Sequence, residues 1–524
     1  MKILQVGKQD WSIGLELPEN IEWYVSQGEN LEQFLEDLKA EELAKIPQDK
    51  LEEMDEQPDI HLRFDSILVT ESVSEEYLNY LIPTIEAYTL FHTEDTFIFQ
   101  QTENGIYRRK MGQILPFRGE KREVILSLHR TLFSGQYGAK LKLPDVEVAS
   151  DFTGDVSYDG NVGIIFEGHF GEDFEPLFSF RYNLSAFEMA LEIWPEYIKE
   201  GDCQLEMVID SLKKGSIGEV VETLVIGEDE LKEPYILKSR SDIGFYFVSF
   251  RAKGNGKLKF GATHWRYSRE GLGRFVLGGK RHVDSKRQEI FTYFNPGDLQ
   301  PPLNVYFSGF RQAEGFEGFY MMKSMGAPFV LVADPRLEGG CFYSGTEELE
   351  NKIVDAIQEA LDYLGFTNQQ LILSGLSMGA FGALYNSAKL EPHAVVVGKP
   401  FTNLGGTVVN LKLKRPDEFE TSGDMIRNVV GGSDDLAIEA FDNHFWKVFK
   451  KGNFAQTKFA IAFMEQDDYD GHAIDRLVEY LADTDAHLFA KGYEGRHNDN
   501  SRAINRWFLA QYHKFLRTDF GRTL

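Results

Sequence analysis

Ser377 is the residue of this chain best placed for nucleophilic chemistry. It stands between Gly375 and Gly379, after a short apolar stretch and before a segment rich in small residues. A serine bracketed by glycines between a strand and a helix is typical of a nucleophile elbow, whose tight turn exposes the hydroxyl group. The glycines leave room for the strained backbone of such a turn. Because the chain has 48 glycines, the motif alone is weak, and the flanking strand and helix favour an elbow over an ordinary turn.

A serine hydroxyl needs a basic partner at neutral pH, and that base needs a carboxylate to orient it. In folds with a nucleophile elbow these groups follow the serine in the order acid, then histidine, at the ends of later strands. The apolar run Lys458–Met464 predicts such a strand, and an acidic loop follows it. We predict Asp467 as the acid, with Glu465 and Asp468 as alternatives.

The predicted base is His497. It lies in a glycine-bracketed loop after the next candidate strand, His487–Ala490, and before a terminal helix. His472 fits less well because it stands at the start of the intervening helix. A late histidine on its own is most often structural, but a position after an elbow and an acid-bearing strand favours the catalytic interpretation.

Acyl chemistry also requires N–H groups that stabilise the oxyanion of the intermediate. We predict the backbone N–H of Met378, at the start of the elbow helix, and that of Phe310, in the loop after the strand Leu303–Phe307. The neighbouring Arg311 is expected either to hold a polar group of the substrate or to pair with a carboxylate such as Glu314.

The elements that must position these residues fill the C-terminal part of the chain, residues 296–524. Apolar runs alternate there with amphipathic segments, which is typical of a parallel sheet covered by helices on both faces. An insertion around residues 402–453 has no strand pattern and predicts a cap over the site. The fold class is therefore α/β, with a C-terminal α/β-hydrolase domain. The predicted strands are Leu303–Phe307, Phe329–Ala333, Gln370–Ser374, Ala394–Val397 and Lys458–Met464, and the clearest helices are Glu347–Leu364 and Ala380–Leu390.

Residues 119–295 show a different pattern. A helical linker leads into strands of alternating polarity, which predict an antiparallel β-sandwich similar to a carbohydrate-binding module. Gly244–Ala252 and Lys257–Ala262 are predicted as two strands joined by a hairpin turn at residues 253–256. Beyond them, Trp265 and Tyr267 share one strand face. The preferred interpretation is that this pair belongs to the core of the sandwich. The alternative is that it forms a stacking platform for a sugar ring.

Residues 1–118 predict a small doubly wound α/β domain. Short apolar strands alternate there with amphipathic helices, beginning with the strand Lys2–Val6. The stretch has neither a glycine-rich dinucleotide fingerprint nor a phosphate-binding loop. We therefore assign it no nucleotide and expect a structural or docking role.

Charge and composition exclude several classes of function. The formal net charge of −28 argues against nonspecific binding to nucleic acid or to anionic lipid. Only Cys203 and Cys341 occur, so neither a disulfide framework nor a thiolate metal site is expected. The chain begins without an apolar signal segment, and no apolar run is long enough to span a membrane. These features predict a cytoplasmic protein without a metal or a bound cofactor.

Four stretches resemble one known family: Lys2–Gly7, Thr263–Tyr267, Ser374–Ala383 and Arg496–Asp499. They are similar to the second accessory Sec protein, from the export system for serine-rich-repeat adhesins in Gram-positive cocci, and the resemblance covers the whole chain. It implies a serine-dependent enzyme that O-acetylates N-acetylglucosamine on the adhesin. The family's catalytic serine and histidine match Ser377 and His497, while some members carry Glu where this chain has Asp467.

The resemblance also implies partners, namely the first and third accessory Sec proteins, the accessory SecA motor and the glycosylated adhesin. It implies a cytoplasmic protein that is peripheral to the membrane through the accessory translocon. Two alternatives stay open: a scaffold of the export complex with a dormant hydrolase fold, and a stand-alone carbohydrate esterase. The sequence does not identify the acyl donor.

Overall fold

The computed structural model describes residues 1–47, 58–414 and 422–523. The N-terminal strands are β1 (Lys2–Val6), β2 (Glu22–Ser26), β3 (Ser66–Val69), β4 (Val73–Ser74), β5 (Leu90–His92), β6 (Ile98–Phe99) and β7 (Gln113–Ile114), and the helices beside them are Leu31–Ala44, Glu75–Leu78 and Ile106–Arg109. Five of the strands form a parallel sheet in the order β2-β1-β3-β5-β7. Successive residues such as Ile3 and Leu4 enter apolar clusters on opposite faces, as in a doubly wound unit.

A helix, Lys121–Thr131, leads into an antiparallel sheet of nine strands. The strands are β8 (Gly138–Leu141), β9 (Val146–Val148), β10 (Asp155–Asp159), β11 (Gly163–Phe180), β12 (Leu184–Ser185), β13 (Leu191–Lys213), β14 (Val220–Gly227), β15 (Tyr235–Leu237) and β16 (Ile243–Tyr267). Strands β11, β13 and β16 are the long ones, and β16 pairs with both of the others over most of its length. The shorter strands pair with one half or the other of these three.

The predicted hairpin turn at residues 253–256 is wrong, because strand β16 runs through it without reversing. Gly254 and Gly256 have positive φ angles of 88° and 158°, and they pair with Gly171 and Gly168 of strand β11. A Cβ atom on either Gly254 or Gly256 would lie 2.2 Å from a carbonyl oxygen of strand β13. Glycine is required for such a close approach, and the row of glycines bends the strands together.

The bend brings the two halves of this sheet face to face. Phe178 pairs with Phe250 in one half, whereas Phe260 pairs with Ile164 in the other. The ring centroids of Phe178 and Phe260 are nevertheless only 4.8 Å apart. An aromatic core therefore fills the space between the halves, and one folded sheet makes both layers of the sandwich.

The C-terminal sheet has eight strands in the order β17-β18-β20-β19-β21-β22-β23-β24. They are β17 (Lys280–Val283), β18 (Glu289–Asn295), β19 (Leu303–Phe307), β20 (Phe329–Ala333), β21 (Leu371–Leu376), β22 (Ala394–Gly398), β23 (Lys458–Met464) and β24 (His487–Tyr493). Strands β19 to β24 are parallel, and β17 and β18 join them as an antiparallel edge. The sheet thus begins before residue 296, the predicted start of this domain.

Helices and apolar side chains cover both faces of this sheet. The helices are Phe319–Ser324, Glu347–Leu364, Met378–Leu390, Leu404–Lys414, Ser422–Val430, Asp435–Phe449, Ala473–Ala482 and Ser501–Thr518. The insertion predicted around residues 402–453 contributes three of them, and its residues 415–421 lie outside the described residues. Its longest helix packs on the helix that follows Ser377, where the rings of Phe445 and Phe381 are 5.4 Å apart.

A polar cluster fixes this longest insertion helix to the core. Nε2 of His444 lies 3.0 Å from Oε1 of Glu350, and the hydroxyl of Tyr385 donates to Oε2 of Glu350 at 2.7 Å. Burial alone would raise the pKa of Glu350, but the hydrogen bond and charge of His444, together with Lys389, lower it to about 2. The carboxylate therefore stays ionised beneath the insertion.

We expect Glu350→Gln to destabilise the protein near neutral pH and to do so less as the pH falls. A carboxyl group with a depressed pKa in the folded state contributes stability above its ordinary pKa, about 4.5 for Glu350, and this contribution disappears as the pH approaches 2. The difference in the free energy of unfolding between wild type and variant should shrink between about pH 5 and about pH 3 in urea titrations. Glu439→Gln, at an exposed position of the same insertion helix, is the control. The same pH dependence in both variants contradicts the expectation.

A buried ionic cluster joins the folded antiparallel sheet to the C-terminal sheet. Arg266 of strand β16 donates to the carboxylates of Glu314 and Glu289, and all three side chains are almost inaccessible to solvent. Burial alone would raise the pKa of Glu314, but the charges of Arg266, Lys140 and His264 hold it well below its usual value. Buried charges of this kind are compatible with a stable fold when all partners are present, and removal of one partner strongly destabilises the protein.

Candidate active site

Ser377 occupies a sharp turn between strand β21 and the helix Met378–Leu390. Its φ and ψ angles are 54° and −119°, a conformation that costs free energy for a residue with a side chain. A Cβ atom on Gly375 would lie 2.3 Å from the backbone of Gly379, and one on Gly379 would lie 2.0 Å from the carbonyl oxygen of Phe307. Both glycines are therefore required, and the turn has the geometry predicted for a nucleophile elbow.

The three residues predicted as a triad converge at the C-terminal edge of the sheet. Oγ of Ser377 lies 2.9 Å from Nε2 of His497, and Nδ1 of His497 lies 2.8 Å from Oδ2 of Asp467. The side chains of His497 and Asp467 are 3% and 8% exposed. They meet because the loops after parallel strands β23 and β24 emerge at the same edge as the elbow. This arrangement can activate the hydroxyl group of Ser377 as a nucleophile.

The structure separates the candidate carboxylates. Asp467 contacts the imidazole ring, whereas Asp468 accepts the backbone N–H of His497 at 3.1 Å. Glu465 is exposed at the start of the same loop. His472 stands before the next helix with 76% of its side chain exposed. The residues preferred from the sequence are therefore the ones that the structure brings together.

The two segments predicted to supply the oxyanion hole meet at the elbow. Met378 begins the elbow helix and is buried. Phe310 follows Gly309, where an added Cβ atom would lie 3.5 Å from the carbonyl oxygen of Leu376. The N–H of Gly309 donates to Oε2 of Glu317 at 2.7 Å, which holds this loop in place. Oxyanion binding by the N–H groups of Met378 and Phe310 stays a prediction.

The alternative pairing of Arg311 with Glu314 is wrong. Nη1 of Arg311 donates to the carbonyl oxygen of Phe316 at 2.6 Å, while Glu314 is committed to the buried cluster with Arg266 and His264. Two charged residues close in the sequence are separated here because one points into the interior. The other interpretation, contact of Arg311 with a polar substrate group, stays a prediction.

Trp265 lies in the core of the folded sheet and is 9% exposed. The ring of Phe187 stacks on it at 5.3 Å, and Tyr137 lies 5.4 Å away. Tyr267 is half-buried against the same Phe187, also at 5.3 Å. The preferred core interpretation fits this packing, because other aromatic rings already cover the indole of Trp265.

Sequence reasoning missed three residues around the triad. The rings of Tyr469 and Phe401 lie 4.3 and 5.0 Å from the imidazole of His497. Lys399, directly after strand β22, is buried and donates to the carbonyl oxygen of Asp499 at 3.1 Å. Burial lowers the pKa of Lys399, and nearby carboxylates counteract this shift. The sequence does contain a signal for two of them, because Tyr469 is part of the acid loop and Lys399 directly follows a parallel strand, where functional residues collect.

Within residues 1–47, 58–414 and 422–523, no group of three or more His, Cys, Asp or Glu side chains is arranged to hold a metal ion. The same described part of the chain contains no helix that is long and apolar enough to cross a membrane. Cys203 and Cys341 are both buried free thiols.

Comparison with known proteins gives matches along essentially the whole chain. A family model described as accessory Sec system GspB-transporter matches residues 1–522. An accessory Sec system protein of Staphylococcus aureus (strain NCTC 8325 / PS 47) is 41% identical over 462 residues, which are 88% of either chain. One of Streptococcus gordonii is 38% identical over 523 residues, covering 100% of this chain and 99% of the relative.

A solved structure extends this similarity to the fold. A chain of the Glycosylation Associate Protein (Gap123) complex from Streptococcus agalactiae is 39% identical to this one. The two superimpose with a TM-score of 0.91 over 100% of this chain and 99% of the other.

Proposed function

Because the chain belongs to the family of the second accessory Sec protein, described as accessory Sec system GspB-transporter, we propose that it is a serine-dependent O-acetyltransferase of that export system. Its substrate is N-acetylglucosamine on a serine-rich-repeat adhesin, which it acetylates as the adhesin is prepared for export. The observation that carries this proposal is the contact of Ser377 with His497 and of His497 with Asp467. A purely structural subunit has no need of a strained serine aligned with a histidine and a buried carboxylate.

The first step forms an acetyl-enzyme. Oγ of Ser377 attacks the carbonyl carbon of the acetyl donor, while Nε2 of His497 accepts the hydroxyl proton. Asp467 holds the ring through Nδ1 and stabilises the imidazolium. The N–H groups of Met378 and Phe310 stabilise the oxyanion. When the carbon–leaving group bond breaks, His497 returns the proton to the leaving group.

In the second step a hydroxyl group of the sugar takes the place of the donor. His497 accepts its proton, the sugar oxygen attacks the acetyl carbon, and the bond to Ser377 breaks as His497 returns the proton to Oγ. The products are an acetyl ester on the sugar and free Ser377. If water attacks the acetyl-enzyme in place of the sugar, the acetyl group is hydrolysed. Exclusion of water from the site therefore decides whether the enzyme acts as a transferase or as an esterase. The helical insertion, which begins beside Phe401, is the element suited to exclude it.

Purified protein and two acceptors test the proposed reaction. With an activated small acetyl ester as donor, we expect acetyl transfer to a glycosylated adhesin fragment, measured by mass spectrometry of its glycopeptides. The same fragment without sugars is the control acceptor. Acetate release at an equal rate with either acceptor would favour the stand-alone esterase. The dormant scaffold would be favoured if the purified protein gave neither acetyl transfer nor an acetyl-enzyme, while the strain from which it comes still exported its adhesin.

We also propose that the protein works in a complex with the first and third accessory Sec proteins and with the accessory SecA motor, at the cytoplasmic side of the membrane. The similar chain of Streptococcus agalactiae comes from a complex, which supports this part of the proposal. The parallel N-terminal sheet and the folded antiparallel sheet contribute none of the triad residues. We assign them the binding of partners and of the glycosylated adhesin, which pull-down of the tagged protein tests.

Asp467→Asn is expected to reduce acetyl transfer by about 10⁴-fold. The amide would favour the wrong tautomer of His497 and could not stabilise the imidazolium. The measurement is the transfer rate to the glycosylated fragment. Glu465→Gln, which changes an exposed carboxylate of the same loop, is the matched control and should keep the rate of wild type. The reverse pattern would show that Asp467 is not the acid.

A further inference from the structure

The ring of Tyr469 stacks on the imidazole of His497. The two ring centroids are 4.3 Å apart and the planes are inclined by only 6°. Phe401, a second aromatic neighbour of this imidazole, lies 5.0 Å away at 48° and is not parallel to it. Tyr469 therefore covers one face of the ring that carries protons to and from Ser377.

Three contacts fix the tyrosine in this position. Its backbone N–H donates to Oδ1 of Asp467 at 2.9 Å, and Nδ2 of Asn410 in the insertion donates to its carbonyl oxygen at 3.3 Å. Nδ2 of Asn498, the residue after His497, donates to the phenolic oxygen at 3.1 Å. The acid loop, the histidine loop and the insertion thus converge on one residue, whose backbone is held by two of the contacts and whose phenolic oxygen is held by the third.

The chemistry of the site gives this stacking a role beyond packing. During each step His497 becomes a cation in a largely buried position, and the face of an aromatic ring attracts such a cation. Asp467 and Ser377 contact the imidazole at Nδ1 and Nε2, but contacts at the ring edge leave the ring free to tilt about the line that joins the two nitrogen atoms. A parallel ring removes that freedom, so that Nε2 stays aimed at Oγ of Ser377.

We infer that Tyr469 is a positioning residue that clamps the imidazole of His497 and stabilises its protonated form during acyl transfer. This inference rests on the proposed function for its reaction, but its geometry does not depend on which acyl group is carried. Removal of the aromatic face should lower kcat about 10- to 30-fold, as expected for a desolvated cation–π contact, and leave KM unchanged. Replacement by another aromatic residue should preserve the rate.

The test compares Tyr469→Leu with Tyr469→Phe in the full chain. Phenylalanine keeps the stacked face and loses the contact with Asn498, whereas leucine loses the face. The first readout is the rate at which a fluorophosphonate probe modifies Ser377, since this reaction needs an activated serine but no sugar acceptor. The second is kcat and KM for acetyl transfer. Tyr480→Leu is the control, because Tyr480 packs on Trp446 and Phe449 of the insertion.

We expect slow modification in the leucine variant alone, with thermal unfolding of all variants close to that of wild type. Equal rates in Tyr469→Leu and wild type overturn the inference, as does a phenylalanine variant as slow as the leucine variant. A change in KM with constant kcat also overturns it. Probe modification of wild type without any acetyl transfer would count against the proposed function and still leave the clamp tested. A wild type that does not react with the probe overturns both.

Discussion

Replacement of Ser377 by alanine is expected to abolish acetyl transfer while leaving the fold intact. Loss of the serine from such a triad lowers turnover by about 10⁴- to 10⁶-fold in well-studied serine hydrolases. The change deletes one hydroxyl group and its hydrogen bond to His497, and it leaves the apolar core unchanged. The measurement is mass spectrometry of adhesin glycans from a strain that carries the variant. Glycans acetylated at the parental level would show that the chain is not the acetyltransferase.

The same variant separates chemistry from assembly. Ser377 lies at the edge of the C-terminal sheet, and we assign partner binding to other regions of the chain. If wild type co-purifies with the first and third accessory Sec proteins as proposed, the Ser377→Ala protein should do so to the same extent. Loss of the complex in this variant would contradict that division of roles.

Arg266→Met is expected to have the largest effect on stability, a loss of about 3–5 kcal/mol in the free energy of unfolding. Methionine approximates the volume of the arginine but leaves Glu314 and Glu289 ionised and buried without their shared cation. Arg251→Met is the matched control on the same strand, because Arg251 is 40% exposed and lies 3.6 Å from Glu206. The guanidinium of Arg251 reaches solvent, so its long contact with Glu206, whose side chain is 12% exposed, is expected to contribute less than the fully buried contacts of Arg266.

The pH dependence of the Arg266→Met effect identifies its cause. The pKa values of Glu314 and Glu289 are lowered in the folded protein against the effect of burial, by Arg266 and other cations. Stability from this cluster is present above the ordinary pKa of glutamate and is lost as the pH falls. The difference between wild type and variant in urea unfolding should be greatest near neutral pH. A difference that does not change with pH would point to packing in place of charge.

The triad could be predicted because its determinants are local and ordered. Gly375 and Gly379 specify the elbow through close backbone contacts, and the rule that acid and histidine follow on later strands narrows the choice. Asp467 and Asp468 stand in the same loop, so the sequence pattern by itself offers both as the acid. The structure distinguishes them by partner, because one carboxylate binds the imidazole and the other binds the backbone N–H of His497.

Structural features that depend on residues distant in the sequence could not be predicted from the sequence pattern. Gly254 and Gly256 would suit a hairpin turn as well as a bend, and only pairing with strands β11 and β13 decides between them. The sequence offers Glu314 as one possible partner of its neighbour Arg311, whereas its partners in the structure, Arg266 and His264, come from strand β16. The boundary predicted at residue 296 also leaves residues 280–295 with the sandwich, whereas strands β17 and β18 pair with the C-terminal sheet.

The pairing of strand β18 with strand β20 limits how the chain can be cut. A fragment that starts at Pro301 would lack β17 and β18 and leave the apolar strand β20 as an open edge, which invites aggregation with other copies. A fragment that starts at Lys280 keeps all eight strands of the sheet but separates Glu314 and Glu289 from Arg266. Expression of the C-terminal half by itself is therefore expected to yield insoluble protein, and point substitutions in the whole chain are the way to separate its roles.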